Sequence, residues 1–480
     1  MIAERYSPLL SDFRVLNGPS PADPSRALCC KELTTRRHRS SSSGYMYNKI
    51  YFRPMKKLVI ALALIASAAS GQTIVLKAAR LFDGMSDSVV RNAVVVVDGK
   101  RISAISPATI PPNAQVIDLG DTTLLPGFID AHVHLTEEAS DNWYLDHFQE
   151  LMRQPAEQAL LATTFARKTI DAGFTTVRNV GASDYVDIGL RNAINNGWVA
   201  GPRMLVSGYA IGATGGHGDA DPIPPARGFQ QLGPMQGVCN GVGDCRAAVR
   251  YQIKYGADLI KFMPSGGVLS LSDPVDAPEL SQDEMNAIVE EAHHWGRKVA
   301  AHCHGDAAAR MAIQAGVDSI EHGSFMKPET LAMMKDKGTV LVPTLLAGDW
   351  IGRKIDKFPP AIATKGRAAL AARSDMFRNA VKIGVKIAFG TDSAVSPHGM
   401  NAQEFALMTG LGMSPAAALR SATSSSAALL GVDDRVGTIA AGKLADIIAV
   451  PGNPLEDIHQ TEHVVFVMKE GAIVKNALAR

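Results

Sequence analysis

The sequence has no excess of charge of either sign: 48 Lys and Arg stand against 47 Asp and Glu, a formal net charge of +1. Without a basic surplus the chain carries no electrostatic footprint for nucleic acid or for an anionic membrane. It also lacks an apolar run of the roughly 20 residues that span a bilayer. Its most apolar stretch, Leu58-Val-Ile-Ala-Leu-Ala-Leu-Ile-Ala, is too short for that. There are no internal repeats, and low complexity is confined to Ser40–Ser43. The expected partner is therefore a small-molecule substrate, with neither nucleic acid nor a membrane anchor. At 46% hydrophobic and 20% charged, the 480 residues have ordinary globular composition, enough for one large and one smaller domain.

Residues 1–54 are rich in Ser, Arg and Pro and show no clean period. At Met55 the text changes to Met-Lys-Lys, then the apolar run, then Ser67-Ala-Ala-Ser-Gly-Gln. That order is the layout of a secretory signal peptide. Such a peptide belongs at a true N-terminus. The expectation is an upstream extension at 1–54, a signal peptide at 55–71, a mature chain from near Gln72, and a secreted or periplasmic location. The alternative is a disordered tail ahead of a buried helix.

Cysteines are few, five in all, and Cys29 and Cys30 fall in the doubtful extension. Cys239 and Cys245 bracket Asn-Gly-Val-Gly-Asp, a loop able to close a small disulfide in an oxidising compartment. Cys303 lies between His302 and His304, alternates away from them, and is read as packing against helices rather than reacting.

Strand signals dominate both ends of the mature chain, at 72–123 and 425–480, as apolar runs broken by Asp-Gly and Glu-Gly. These two blocks are expected to pair into one small composite β-sandwich. Between them, over 124–424, strand and helix patterns alternate. The strand candidates are Leu124–His134, Thr175–Val180, Met204–Gly208, Asp258–Met263, Val299–His304, Ser319–His322, Val340–Thr344 and Ile387–Thr391. This α/β pattern predicts a (β/α)8 TIM barrel, whose core takes about 250 residues. A doubly wound sheet would want a Gly-rich phosphate turn after its first strand, and His132-Val-His stands there instead. The Gly- and Pro-rich stretch Gly212–Gly243 reads as a long loop over the barrel mouth.

Active-site residues of such a barrel lie at the C-terminal ends of its strands. His132 and His134 end the first candidate on one side, because residues i and i+2 of a strand point together. Alone, two imidazoles fit a metal site and a pair of satisfied histidines equally. Lys261 on the fourth candidate, His302 and His304 on the fifth, His322 on the sixth and Asp392 after the eighth make the metal reading strong, since imidazole and carboxylate are transition-metal donors.

These motifs, Pro126-Gly-Phe-Ile-Asp-Ala-His-Val-His, Ile260-Lys-Phe, Ala301-His-Cys-His-Gly, Ile320-Glu-His-Gly and Phe389-Gly-Thr-Asp-Ser, resemble those of the amidohydrolase superfamily, over about residues 73–480. The resemblance implies a binuclear hydrolase with two divalent metal ions, usually zinc, bridged by a carboxylated Lys261. It implies His132, His134, Lys261 and Asp392 around the first ion, and Lys261, His302 and His322 around the second. It implies a bridging hydroxide as nucleophile, with Asp392 as general base and then acid. The deaminases of that superfamily place a general-acid Glu shortly after the fifth-strand His. The run His302-Cys-His-Gly-Asp-Ala-Ala-Ala has none, which disfavours deamination.

The spacing and the Gly215-Gly-His-Gly-Asp loop look like the branch of Xaa-Pro dipeptidases, carboxypeptidase-like dipeptidases and ochratoxinase-type amidases. That resemblance implies cleavage of an amide whose leaving group is an amino acid with a free α-carboxylate. It makes His217 and His304 the candidate carboxylate contacts. Prolidase-like members are expected to carry Tyr at the His304 position, which puts strict proline specificity in doubt. Arg178 is placed either to add positive charge for the substrate or to form an inner-barrel salt bridge. A cyclic amide or lactone hydrolase and a non-catalytic scaffold stay open as alternatives. A homo-oligomer, up to an octamer, follows from the resemblance alone. His147, His293, His294, His398, His459 and His463 are read as structural or exposed.

Overall fold

A computed structural model describes residues 73–219, 231–271 and 273–479. The expected extension at 1–54 and the expected signal peptide at 55–71 lie outside the described residues, as does part of the Gly212–Gly243 stretch. The N-terminal end forms β1 (Ile74–Leu81), β2 (Val90–Asp98), β3 (Arg101–Ile105), β4 (Gln115–Asp118) and β5 (Thr122–Pro126). The middle forms β6 (Phe128–Val133), β7 (Phe174–Asn179), β8 (Arg203–Val206), β9 (Leu259–Phe262), β10 (Lys298–Cys303), β11 (Ser319–His322) and β12 (Val340–Val342). The C-terminal end adds β13 (Ile447–Pro451), β14 (Phe466–Lys469) and β15 (Ala472–Asn476). Helices α1 (Trp143–Met152), α2 (Pro155–Asp171), α3 (Val186–Asn195), α4 (Gly241–Tyr255) and α5 (Gln282–His294) lie between the middle strands. So do α6 (Asp306–Ala315) and α7 (Pro328–Lys337), while α8 (Leu345–Arg353) and α9 (Pro360–Ile383) follow β12.

The two ends share one eight-stranded sheet, ordered β15-β14-β13-β5-β1-β2-β3 with β4 beside β1. The seam is the antiparallel β13–β5 pair, with Ile447 opposite Pro126. At the far edge a bridge from Arg101 to Leu444 and the Ile102 N–H to Lys443 O bond (2.9 Å) fold the sheet back on itself. Alternate residues such as Leu76, Val95, Leu124, Ile447 and Phe466 then fill a core between the two halves. This is the expected composite sandwich.

The middle strands form a parallel ring, β6-β7-β8 and β9-β10-β11-β12. Backbone bonds join the arcs: Asp258 N–H to Val206 O at 2.7 Å, Met263 N–H to Ile211 O at 2.8 Å, and a Leu341–Ile387 bridge. Segment 387–391 fills the eighth place, with Ala131 N–H bonding Phe389 O at 2.8 Å. It makes these contacts without forming a regular strand, because the chain turns into the left-handed region at Asp392 (φ 57°). The (β/α)8 fold is thus present, with its last strand reduced.

Three boundaries differ from expectation. The stretch Leu124–His134 is two strands: β5 belongs to the sandwich and β6 to the barrel. Both are buried throughout, so no alternation marks the break at Gly127, whose N–H bonds Asp446 O at 2.8 Å. The helix Ser426–Leu430 packs Ala427 and Leu430 with Ile129 and Ala131 of β6, so it belongs to the barrel shell rather than the sandwich. Cys239 and Cys245 are bonded as expected, but Cys245 lies in the first turns of α4 rather than in a loop. Among the described residues, no helix is long and apolar enough to cross a membrane.

Candidate metal centre

β6 delivers the first donors. Asp130, His132 and His134 share its barrel-facing side by the two-residue period. Asp130, fully buried, accepts from Thr391 Oγ1 (2.6 Å), Asn401 Nδ2 (2.8 Å) and the His132 N–H (3.1 Å), which ties the strand end to the turn carrying Asp392. Burial lifts its carboxyl to about 6. The Asp392 carboxylate stands 3.4 Å from both His132 Nε2 and His134 Nε2. Burial disfavours its charge, but His132 and His134 hold its pKa well below the usual carboxylate range. Asp392 (φ 57°) and His322 (φ 69°) both occupy the left-handed region, strained for residues other than glycine and typical of functional sites.

β10 and β11 supply the second group. Ligand atoms of His302, His304 and His322 lie within 4.8 Å of one another, as do those of His132, His134 and Asp392. His302 Nδ1 is 3.0 Å from His322 Nε2, and buried His302 Nε2 has no protein partner. Burial depresses the pKa values of His302 and His322 well below the ordinary imidazole value, and that of His304 to about 3, so all three are neutral with lone pairs to give. The outward ring nitrogens are engaged. His132 Nδ1 meets Glu321 Oε2 at 2.8 Å and His134 Nδ1 meets Gly181 O at 3.2 Å. His322 Nδ1 meets Thr344 Oγ1 at 2.6 Å, and His304 Nδ1 meets Ser324 Oγ at 2.9 Å. With those nitrogens held, the Nε2 atoms of His132 and His134 turn toward Asp392 and that of His322 toward His302 Nδ1, the outer-nitrogen anchoring that metal-binding histidines require.

Lys261 on β9 is 1% exposed and lines the same cavity. No described carboxylate lies within ion-pair distance of it, and burial lowers its amine to about 8. The chemistry of the donor set therefore fits two cations: three neutral imidazoles (His302, His304 and His322) on one side, and His132, His134, one ionised carboxylate and a buried amine on the other. His304 sits in the same cluster as His302 and His322, so geometry puts it within a cation's reach as well as a substrate's.

His217 reaches the cavity from the Gly212–Gly243 loop. Its N–H bonds Glu279 (2.9 Å), its Nδ1 meets Ser270 Oγ (2.9 Å), and its ring centroid is 4.4 Å from that of His302. A Cβ on Gly267 would lie 2.1 Å from the His217 ring, so only glycine lets this imidazole in. Arg178 does not reach the substrate space. Its guanidinium, 3% exposed, donates to Glu321 Oε1 at 2.8 Å, Ser319 Oγ at 3.0 Å and Ala131 O at 2.5 Å. It is the inner-barrel salt bridge of the two readings, not a substrate contact. Cys303 is buried among core side chains, which pushes its thiol up to about 12 and makes it inert.

Two groups were missed in the sequence. Glu321 sits inside the quoted Ile320-Glu-His-Gly, and an acid in so short an apolar strand was the signal for it. His147, without motif context in the sequence and so expected to be structural or exposed, lines the cavity, stacked 5.2 Å from Trp143. His293, His294, His459 and His463 are exposed and His398 is buried, as expected for residues outside the site.

Residues 123–474 match the Amidohydrolase family. The chain is 32% identical to the ochratoxinase of Aspergillus niger over 440 residues, covering 86% of this chain and 88% of the relative. A crystal structure of a Xaa-Pro dipeptidase with bound methionine in the active site is 42% identical, covers 84% of this chain and 100% of that one, and superposes with TM-score 0.81. The A. niger ochratoxinase structure is 30% identical, covers 84% and 96%, and superposes with TM-score 0.75. With its barrel, its composite sandwich and its histidine-lined cavity, this amide-hydrolysing enzyme belongs to the amidohydrolase family.

Proposed function

We propose that the enzyme hydrolyses an amide bond and releases an amino acid with a free α-carboxylate, from a dipeptide or an N-acyl amino acid, ochratoxin-like amides included. The observation that carries this reading is the pair of donor clusters, His132/His134/Asp392 and His302/His304/His322, meeting on the floor of one cavity with Lys261. His132, His134, Lys261 and Asp392 would hold one divalent cation, and Lys261, His302 and His322 a second, zinc suiting the imidazole-rich set. When bound, the ions polarise the scissile carbonyl and make hydroxide available at neutral pH.

The chain's own residues do the rest. Lys261, with an amine near 8, keeps enough neutral nitrogen to attack carbon dioxide, forming the N–C bond and losing a proton. The resulting carboxylate replaces an ammonium that could not coordinate metal. Asp392, held ionised, accepts the proton of the attacking water and passes it to the departing amine. His217 and His304 face the α-carboxylate of the leaving residue. Trp143, Val268 and Leu269 exclude water from the apolar part of the cavity. Secretion to an oxidising compartment, supported by the Cys239–Cys245 bond, and a homo-oligomeric state belong to the same reading.

The test is a panel of N-acyl amino acids, dipeptides and hydantoins, read by free amino acid release from the metal-replete enzyme. Release from the linear amides is expected. Turnover confined to hydantoins would replace this reading with a cyclic-amide hydrolase, and no turnover at all would favour a scaffold.

A further inference from the structure

The cavity over the histidines, about 670 Å³, is not uniform. One wall, built by α8, α9 and the turn after β12, is apolar: Pro343, Ala347, Ile351 and Leu370. A single cation, Arg373 of α9, stands on that wall. Among the described residues its guanidinium makes one hydrogen bond, from Nη1 to Leu345 O, and meets no carboxylate within ion-pair distance. The nearby acids are spent elsewhere. Glu404 accepts the N–H groups of Leu345 (2.9 Å) and Leu346 (2.6 Å), and Asp349 pairs with Arg353 at 2.7 Å. Arg153, the other arginine lining the cavity, is held by Gln158 (3.0 Å) and Gln149 (3.4 Å).

A second observation is independent of charge. Gly348 lies inside α8, where glycine weakens a helix relative to alanine. A Cβ there would stand 2.2 Å from Arg373 Nη1. The glycine keeps open the channel through which the guanidinium reaches the wall.

The order of strands fixes what this cation can meet. Arg373 lies beyond the seventh barrel strand, whereas His217 comes from the loop after the third. In a ring of eight those positions face each other across the mouth. A substrate whose leaving half rests on His217 therefore extends its acyl half toward Arg373. We propose that Arg373 is a specificity-determining residue that binds an oxyanion on the acyl half, so that the favoured substrates are N-acyl amino acids with an apolar acyl group bearing a carboxylate or an ionised phenol. This rests on the amide-hydrolase reading above.

The experiment compares matched pairs on one amino acid: N-succinyl against N-isohexanoyl, which has the same shape without the charge, and N-(hydroxybenzoyl) against N-benzoyl. The wild-type enzyme should prefer the anionic member of at least one pair by about ten-fold in kcat/KM, the effect of one charge-assisted hydrogen bond, and the pair that responds identifies the oxyanion. Arg373→Met should abolish that preference through KM, leave the neutral substrates within about three-fold, and Arg373→Lys should restore part of it. Gly348→Val, which displaces the guanidinium while keeping it in the chain, should mimic Arg373→Met. Equal turnover within both pairs by the wild-type enzyme, or an Arg373→Met loss shared by all four substrates, would overturn the assignment. Absence of turnover on every linear amide would instead overturn the functional reading and this inference with it.

Discussion

Glu321 bridges His132 and Arg178: Oε2 is 2.8 Å from His132 Nδ1, and Oε1 accepts from Arg178 Nη2 at 2.8 Å as well as from Ser319 Oγ. All three side chains are at most 3% exposed. Burial works against the Glu321 charge, yet Arg178 and His132 hold its carboxyl at about 2, so it is ionised throughout the working range. This carboxylate orients the His132 ring and presents its Nε2 toward Asp392. Removing it leaves Arg178 as an uncompensated buried charge.

Glu321→Gln should therefore lower metal affinity about 10- to 100-fold, the usual effect of losing a carboxylate behind a ligating histidine. It should also destabilise the fold by about 3–5 kcal/mol. Competition with a chelator measures the first and urea unfolding the second. A variant with wild-type metal retention would show that Glu321 does not position His132.

Asp392→Asn separates chemistry from backbone strain. Asparagine tolerates the left-handed conformation that residue 392 adopts, so the turn is kept while the proton acceptor is lost. The expected result is a fall in kcat of about 10²–10⁴-fold with near-wild-type unfolding. Retained turnover would remove Asp392 from the proton path.

His398 makes stability depend on pH. Burial holds its imidazole at about 4, its Nε2 meets Glu137 O at 2.8 Å, and its Nδ1 has no partner to receive a second donor. The unfolded chain takes up that proton near 6.5 and the folded chain only near 4. The unfolded state thus binds more protons in this window, and stability is lost as pH falls from 6.5 to 4. The contribution is about 3 kcal/mol. Urea unfolding of the wild type and His398→Gln at pH 7, 5.5 and 4.5 checks it: the variant should lose less on acidification. Parallel acid limbs would rule His398 out as their cause.

The Cys239–Cys245 bond closes a loop with sequence separation 6 at the start of α4. A loop that short limits the entropic gain to about 2 kcal/mol. Alkylation should label these two residues only after reduction, with a matching loss of stability. Free thiols in the natively purified protein would contradict the pairing.

Much of the site was legible because each donor ends a short apolar run. His132, His134, Lys261, His302, His322 and Asp392 all lie at strand ends of the barrel, and all line one cavity. What was hidden has physical causes. The passage from sandwich to barrel shows in the sequence only as Pro126-Gly127, and Leu124–His134 still reads as one strand because β5 and β6 are both buried on both faces. The eighth strand read as regular because its apolar pattern does not reveal the left-handed turn at Asp392. Helix α1 escaped notice because its polarity is inverted: Asp146, His147 and Glu150 line the cavity while Tyr144, Phe148 and Met152 are exposed. Arg178 carried two readings, and only the position of Glu321 in space decided between them.

The most direct test is metal content and amide turnover measured together on the natively purified wild type and Lys261→Ala. Two divalent ions per chain and amino acid release are expected for the wild type, with release lost on chelation, and fewer than two ions and no release for Lys261→Ala. A metal-free chain that still releases amino acid, or a Lys261→Ala enzyme with full activity, would contradict a binuclear centre built around Lys261.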